Sequence, residues 1–361
     1  MDRRSFLRKA TVGGATAAAA STLAAPLYAQ GKRTLTMVTT WGRGLAGVHD
    51  AAQRVADQIG LLTDGQITVD LKAAGELVGA FEVFDAVTSG QADMYHGADY
   101  YFVGQHPGYA FFTAVPFGMT AQELVNWYYQ DGGMDFHDEL GQIFGLKSFL
   151  AGNTGAQAGG WFRNEIKGPE DFNGLKFRMP GLGGLALGKL GASVQNLPGG
   201  EVYQALSSGA IDGTEWIGPW ADEKAGFQEI TKIYYTAGFH EPGAGLSVAT
   251  NRDVFDSMTP AQQAILQTVA LEAHQWNLAQ FLSNNGSALQ RLQAAGVQVR
   301  EFPDSVWDAF GAASAEVHAE NMGDDLYKRI YDSAMASMKS SSGWLTKSEG
   351  VYRTQRDRVL G

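Results

Sequence analysis

The chain has 361 residues, no cysteine and a formal net charge of -11 at pH 7, from 38 acidic and 27 basic residues. The lack of cysteine excludes disulfides, thiolate metal sites and cysteine catalysis. The acidic balance argues against nucleic acid or anionic lipid as a partner, so a captured anion must be held by local positive charge. The length is sufficient for two lobes that each bury a core.

The first 29 residues have the features of an export signal. Arg3 and Arg4 precede Ser5-Phe6-Leu7, an Ala-rich and Gly-rich run follows, and cleavage is expected after Ala29. Paired arginines in this position indicate the twin-arginine route. The run is too short and too poor in large aliphatic residues for a transmembrane anchor. We therefore expect residues 1–29 to be a twin-arginine signal peptide and the mature protein to be periplasmic.

The next segment alternates strand-like and helix-like patterns, which is typical of an α/β fold with largely parallel sheets. Periodicity predicts a β-α-β-α-β order, a helical stretch from Gln122 to Phe144 broken at Gly132-Gly133, and a strand from Leu146 to Ala151. The elements of the β-α-β-α-β order are Thr34 to Thr40, Val48 to Leu62, Ile67 to Ala73, Phe81 to Thr88 and Ala92 to Gly97.

A second lobe is predicted from four further strand patterns and one helix near Glu201 to Ser208. The chain then returns to the first lobe near residues 238–243, where a hinge is expected. The predicted boundaries are residues 30–152 plus about 238–258 for lobe 1, residues 153–237 plus about 259–302 for lobe 2 with a bridging helix, and residues 303–361 for a C-terminal helical segment.

Thr259 and Pro260 predict the start of one long helix that ends at Gly296. Its length of about 55 Å exceeds one lobe, so we expect it to contact both. A strand from Val297 to Phe302 and helices from Ser305 to Met322 and from Asp324 to Met338 follow. The last helix carries an apolar stripe that can cover the protein's own surface or that of a second copy, at Leu326, Ile330, Ala334 and Met338.

Arg178 is the first candidate for ligand binding. It ends a strand-like run, and Pro180 and the glycine-rich residues 181–184 predict a loop that presents it to a cleft. A planar, permanently charged guanidinium can hold a carboxylate through two parallel hydrogen bonds. The alternative is an ordinary solvated arginine on the surface.

Glu215 is the second candidate, because it lies in an apolar run beside Trp216 and Ile217. A carboxylate in such a place is either paired with a basic residue or bound to a metal. Gln157, Glu215, the main-chain carbonyl of Trp216 and Glu241 would together give the oxygen ligands that sodium, calcium or magnesium prefer.

Four segments carry a resemblance to the solute-binding component of tripartite ATP-independent periplasmic (TRAP) transporters, and most to the branch that binds 2-oxo acids. The likeness extends in order and spacing from about Thr34 to the C-terminus. The segments run from Asn153 to Phe162, from Gly174 to Gly184, from Asn196 to Glu201 and from Ile211 to Pro219.

This resemblance implies a two-lobed periplasmic-binding-protein fold with a long helix bridging the lobes. It implies that Arg178 holds the substrate carboxylate, and that Gln157, Glu215 and the Trp216 carbonyl hold one cation, sodium or calcium, which also contacts the substrate. Glu241 is expected to complete the cation site. The expected substrate-binding residues are Arg178, Gln157, Tyr100, Tyr101, Trp216 and Asn153.

The resemblance also implies that the protein is not an enzyme. It would capture a small 2-oxo monocarboxylate such as pyruvate and deliver it to the small and large membrane subunits of a TRAP transporter. Two alternatives stay open: a 2-hydroxy acid such as lactate bound with calcium, and a metal-dependent lyase acting on oxo acids with the same ligands. A homodimer through the terminal helices is a further expectation.

Overall fold

The structure, a computed structural model, describes residues 31–361, so the expected signal peptide at residues 1–29 lies outside the described residues. Within this range eleven strands form two sheets. They are β1 (Arg33–Thr39), β2 (Ile67–Lys72), β3 (Met94–Gly97), β4 (Leu146–Asn153), β5 (Gly160–Phe162), β6 (Lys176–Arg178), β7 (Ser193–Gln195), β8 (Gly213–Thr214), β9 (Ile233–Tyr235), β10 (Gly245–Asn251) and β11 (Gln298–Arg300).

Twelve α-helices in the described residues cover and connect these sheets. They are α1 (Val48–Leu62), α2 (Val83–Thr88), α3 (Ala121–Gln130), α4 (Gly133–Ile143), α5 (Gly181–Lys189), α6 (Gly199–Ser208), α7 (Pro219–Ala225), α8 (Arg252–Asp256), α9 (Pro260–Ala294), α10 (Asp304–Asn321), α11 (Asp325–Leu345) and α12 (Val351–Leu360). No helix of residues 31–361 is long and apolar enough to span a membrane.

Sheet A has the strand order β2-β1-β3-β10-β4, and sheet B has the order β11-β9-β5-β8-β6-β7. The α/β class with two lobes is therefore confirmed. In each sheet one strand runs against all the others, β10 in sheet A and β5 in sheet B. Both sheets are thus mixed, whereas the alternating pattern predicted largely parallel ones. Each antiparallel strand enters its sheet from the other sheet through a short connection, whereas β11 enters sheet B after α8 and α9 and runs parallel to β9.

The two connections between the sheets, residues 154–159 and 236–244, lie side by side. The Gln157 amide donates to the Glu241 carbonyl at 2.9 Å, and the Gly238 amide donates to the Gln157 carbonyl at 2.9 Å. The Thr154 amide donates to the Ala244 carbonyl at 3.0 Å. This pairing brings two residues that are distant in sequence, Gln157 and Glu241, to one place between the lobes.

Helix α9 begins where the sequence predicts it. Thr259 Oγ1 accepts from the Gln262 amide at 3.2 Å, and Gln262 Oε1 accepts from the Thr259 amide at 3.0 Å, which is a capping box. The helix is 35 residues long and continues through Gly286. It packs on β4 and α1 beside sheet A and on α7 beside sheet B. The expected contact with both lobes is confirmed.

The C-terminal helices pack on the body of the same chain. Helix α10 lies against α5, and α11 lies against α3 and α4. Leu326, Ile330 and Ala334 are buried there, and Trp127 Nε1 donates to Ser333 Oγ at 3.0 Å. Of the two alternatives for this stripe, the structure therefore shows that it covers the protein's own surface.

Candidate functional site

Arg178 ends β6 and is almost fully buried, with 1 % of its surface exposed. Its Nη1 pairs with Glu215 Oε1, its Nε donates to the Leu197 carbonyl at 3.1 Å, and its Nη2 donates to the Tyr101 hydroxyl at 3.5 Å. The guanidinium carbon lies 5.4 Å from the centre of the Trp216 ring. Arg178 is therefore held in a fixed position, and it is not a solvated surface arginine.

The expected loop after Arg178 is wrong, because residues 181–189 form helix α5. The glycines serve close packing here. A Cβ on Gly184 would lie 2.3 Å from the Met179 carbonyl oxygen, and one on Gly183 would lie 2.5 Å from the Cβ of His240. Leu182, Ala186 and Leu187 bury one face of the helix. The glycine run thus lets α5 approach the strand end that carries Arg178.

A small cavity lies next to this ion pair, between the two sheets. Tyr100 and Tyr101, on the short 3₁₀ turn Asp99–Phe102 after β3, line it from sheet A, and Trp216 lines it from sheet B. The two connections add Gln157 and Glu241. The sequence did not point to the other lining residues, which are Trp41, Val48, Thr113, Thr154, Ile217, Ala244 and Leu246.

Three side-chain oxygens at this place are buried, and none of them has a hydrogen-bond partner among residues 31–361. They are Gln157 Oε1, Glu215 Oε2 and Glu241 Oε2. Unpaired buried acceptors are costly unless a donor or a cation satisfies them. Burial raises the pKa of Glu241 well above its usual value, and the negative charge of Glu215 raises it further. The arrangement therefore has room and ligands for a positive charge.

The main-chain carbonyl of Trp216 is fixed by a buried carboxylate. Asp222 Oδ1 accepts from the amides of Ile217 at 3.0 Å and Gly218 at 2.9 Å, and Asp222 Oδ2 accepts from Trp161 Nε1 at 2.9 Å. The Ile217 amide and the Trp216 carbonyl belong to one planar peptide unit, so holding the amide also orients the carbonyl. Asp222 was not foreseen from the sequence.

Asn153 does not line the cavity. Its Oδ1 accepts from the Gly155 amide at 2.7 Å, and its own amide donates to Asn277 Oδ1 at 3.1 Å. These contacts fasten the start of the first connection to helix α9. The role of Asn153 in substrate binding stays a prediction.

His240 lies in the site, although the sequence did not single it out. Its Nε2 is 3.5 Å from Glu215 Oε2 and 4.0 Å from Glu241 Oε1. The only signal available in the sequence was its position directly before Glu241. Gln157, Arg178, Glu215, Trp216, Glu241 and both tyrosines, in contrast, are brought together as expected; that they bind substrate or cation stays a prediction.

The comparison with protein families decides the class of this protein. Residues 40–324 match the model of the bacterial extracellular solute-binding proteins of family 7, DctP. The chain belongs to this family. Its members are binding proteins of transporters, which confirms that the protein is a TRAP solute receptor and not an enzyme. The lyase alternative is therefore set aside.

Two solved structures and one curated relative are similar to this chain over most of its length. The monocarboxylate 2-oxoacid-binding periplasmic protein of Nostoc sp. is 39% identical over 317 residues, 88% of this chain and 87% of that protein. A TRAP solute-binding protein of Pseudoalteromonas atlantica with bound sodium and pyruvate is 37% identical, with a TM-score of 0.86 over 90% of this chain and 99% of that one.

A TRAP solute-binding protein of Bordetella bronchiseptica is 32% identical, with a TM-score of 0.89 over 91% of this chain and 98% of that chain. It is a mixed-occupancy dimer with copurified calcium and picolinate in its active site. The likeness confirms the expected two-lobed fold of this family member, with its long helix.

Proposed function

We propose that this TRAP receptor works in the periplasm and captures a small 2-oxo monocarboxylate such as pyruvate together with one cation, sodium or calcium. The observation that carries the proposal is the group of three buried, unpaired acceptor oxygens beside a buried arginine. The named ligands of the relatives, 2-oxo monocarboxylates and pyruvate with sodium, support the same chemistry.

The cation would be held by Gln157 Oε1, Glu215, the Trp216 carbonyl and Glu241. All are oxygen donors, which suits sodium or calcium. Two carboxylates and one guanidinium give the buried site an excess of negative charge when both carboxyl groups are ionised. A cation offsets that excess and supplies the missing partner of each unpaired oxygen.

The acid would be held by Arg178 and by the cation. Arg178 can donate two parallel hydrogen bonds to its carboxylate. The cation, when bound, would contact one carboxylate oxygen and the adjacent keto oxygen, which a plain monocarboxylate lacks. The rings of Trp41, Tyr100 and Tyr101 close the cavity from sheet A, so its size favours a short carbon tail.

Closure of the lobes would follow from this division of contacts. Arg178 and Glu215 belong to the sheet B side, and Tyr100 and Tyr101 belong to the sheet A side, so a ligand between them bridges both. A ligand shifts a protein toward the closed form only through contacts that this form alone makes. The closed complex would then be delivered to the small and large membrane subunits of the transporter.

Export by the twin-arginine route, through a signal peptide at residues 1–29, is part of the same proposal. So is a homodimer through the terminal helix. Trp344, Tyr352 and Leu360 are 72%, 65% and 79% exposed, and the Bordetella relative is a dimer. Light scattering should give twice the chain mass for the whole protein and a single chain mass after truncation at Gly343. A truncated protein that still has twice its own chain mass would exclude this helix as the dimer contact.

The main test is a titration of the purified protein by calorimetry and thermal shift, with pyruvate, lactate and succinate, in sodium, in calcium or with a chelator. A ligand at a thousand times its dissociation constant should stabilise the protein by about 4 kcal/mol. We expect pyruvate with a cation to bind best. Glu241→Gln should weaken pyruvate binding about tenfold or more at limiting cation, and Glu229→Gln, an exposed control, should not. Failure of every 2-oxo acid to bind in either cation would refute the proposal.

A further inference from the structure

His240 is built into the site with little freedom to move. It is 2% exposed, and two glycines leave room for it. A Cβ added to Gly183 would come 2.5 Å from the His240 Cβ, and one added to Gly238 would come 2.5 Å from its Cε1. The backbone of helix α5 therefore lies against the His240 Cβ, and that of the second connection lies against its imidazole ring.

The free ring nitrogens of His240 are the second observation. Neither nitrogen has a hydrogen-bond partner anywhere in the described part of the chain, although the residue is buried. One donor atom each from Glu215, His240 and Glu241 lies within 4.8 Å of the other two. A metal ion bonds to imidazole nitrogen and carboxylate oxygen at about 2.0–2.2 Å, so small side-chain adjustments would bring all three donors to one ion.

We propose that His240 is a metal ligand, and that Glu215, His240 and Glu241 together bind a divalent transition-metal ion of the zinc class beside the cavity that Glu241 lines. Imidazole favours zinc, copper, nickel and cobalt, whereas calcium and sodium select oxygen ligands alone. A site for calcium or sodium would not need the imidazole, so a set of two carboxylates and one imidazole favours a transition metal. This inference rests on the proposed function, because it uses the same cavity and the same carboxylates.

The transition ion would bind a 2-oxo acid as a hard cation does, since it can contact the same carboxylate and keto oxygens. His240 would then determine which cation accompanies the acid, and the protein would accept acid with either class of ion. A purely structural His240, which only holds Glu215 in place, would instead support all cations equally. The two roles differ in one measurable quantity, the ratio of zinc affinity to calcium affinity.

The test is a calorimetric titration of the whole protein with Zn²⁺ and separately with Ca²⁺, without acid. In His240→Gln the Zn²⁺ affinity should fall about tenfold or more, and the Ca²⁺ affinity should stay within about twofold, because only a nitrogen donor is lost. The matched control is His274→Gln, since His274 is equally buried but lies on helix α9. It should change neither affinity. An equal loss for both ions in His240→Gln would overturn the proposal.

A second measurement needs no variant. One equivalent of Cu²⁺ added to the wild-type protein should show nitrogen hyperfine coupling by electron paramagnetic resonance, and calcium with pyruvate should displace that signal. A displaceable copper signal with oxygen ligands only would refute the assignment of His240. If pyruvate binds with calcium but no nitrogen is found, the proposed function stands and this inference alone fails. If no 2-oxo acid binds in any cation, the proposed function fails, whatever the Zn²⁺ result.

Discussion

The buried pair of Arg178 and Glu215 gives the sharpest prediction, because it should serve both stability and binding. Arg178 is 1% exposed and Glu215 is not exposed. Arg178→Met would leave Glu215 charged and buried beside Glu241. Removing one partner of a buried ion pair costs about 3–5 kcal/mol. With an unfolding entropy near 2.1 cal/mol/K per residue, a folded chain of this size should lose about 4–7 °C in melting temperature.

The double variant Arg178→Met with Glu215→Gln separates the two roles. It removes the unpaired charge, so at least half of the lost melting temperature should return, yet neither variant should bind pyruvate. The assay is thermal unfolding of acid-free protein, followed by calorimetry with pyruvate. Arg43→Met is the control, because Arg43 pairs with Glu76 and is 65% exposed. Exposed pairs contribute about 0–1 kcal/mol. A double variant no more stable than Arg178→Met would refute the reasoning.

Three further predictions follow from single contacts. Burial raises the pKa of Asp222 to about 7. The folded chain then keeps a proton on Asp222 that the unfolded chain releases from about pH 4. The free energy of unfolding should therefore fall by about 4 kcal/mol as the pH rises from about 4 to 7. Melting curves of Asp222→Asn should lack this fall. Gly183→Ala should displace His240 and weaken Zn²⁺ binding about tenfold in calorimetry, whereas Gly188→Ala, with open space around its Cβ, should not. Tyr101→Phe should weaken pyruvate binding about tenfold or more by the same assay, because a hydrogen bond to a charged partner is lost.

Helices with strong local signals could be predicted from the sequence almost to the residue. The long helix is the clearest case, since Thr259, Pro260 and Gln262 determine its start through contacts among themselves. Strand direction could not be predicted in this way. β10 and β5 each cross from the other sheet through a short connection and run antiparallel to their neighbours, and no local pattern records that route.

The candidate site shows the same division between local and distant information. Arg178 and Glu215 stand out as charges in apolar runs, and the preference of hard cations for oxygen ligands already grouped Gln157 and Glu241 with Glu215, while the resemblance to a family added the expected role of each residue. His240 was missed because its contact with Glu215, the residue after β8, joins two segments that are far apart in sequence. The glycines after Pro180 were taken for a loop because their packing role depends on Met179 and His240, which the sequence alone does not place beside them.

Binding of the acid and of the cation should be linked through Arg178. In the structure this guanidinium pairs with Glu215, so it must turn at least one of its donors toward an incoming carboxylate. When Arg178 turns toward the acid, Glu215 loses part of its positively charged partner. A cation bound at Glu215 replaces that lost positive charge. Each ligand therefore lowers the cost of binding the other, and linkage requires the effect to be equal in both directions. Typical couplings of about 1–3 kcal/mol correspond to roughly 5- to 150-fold in affinity. This coupling would let the receptor release acid and cation together when the lobes open.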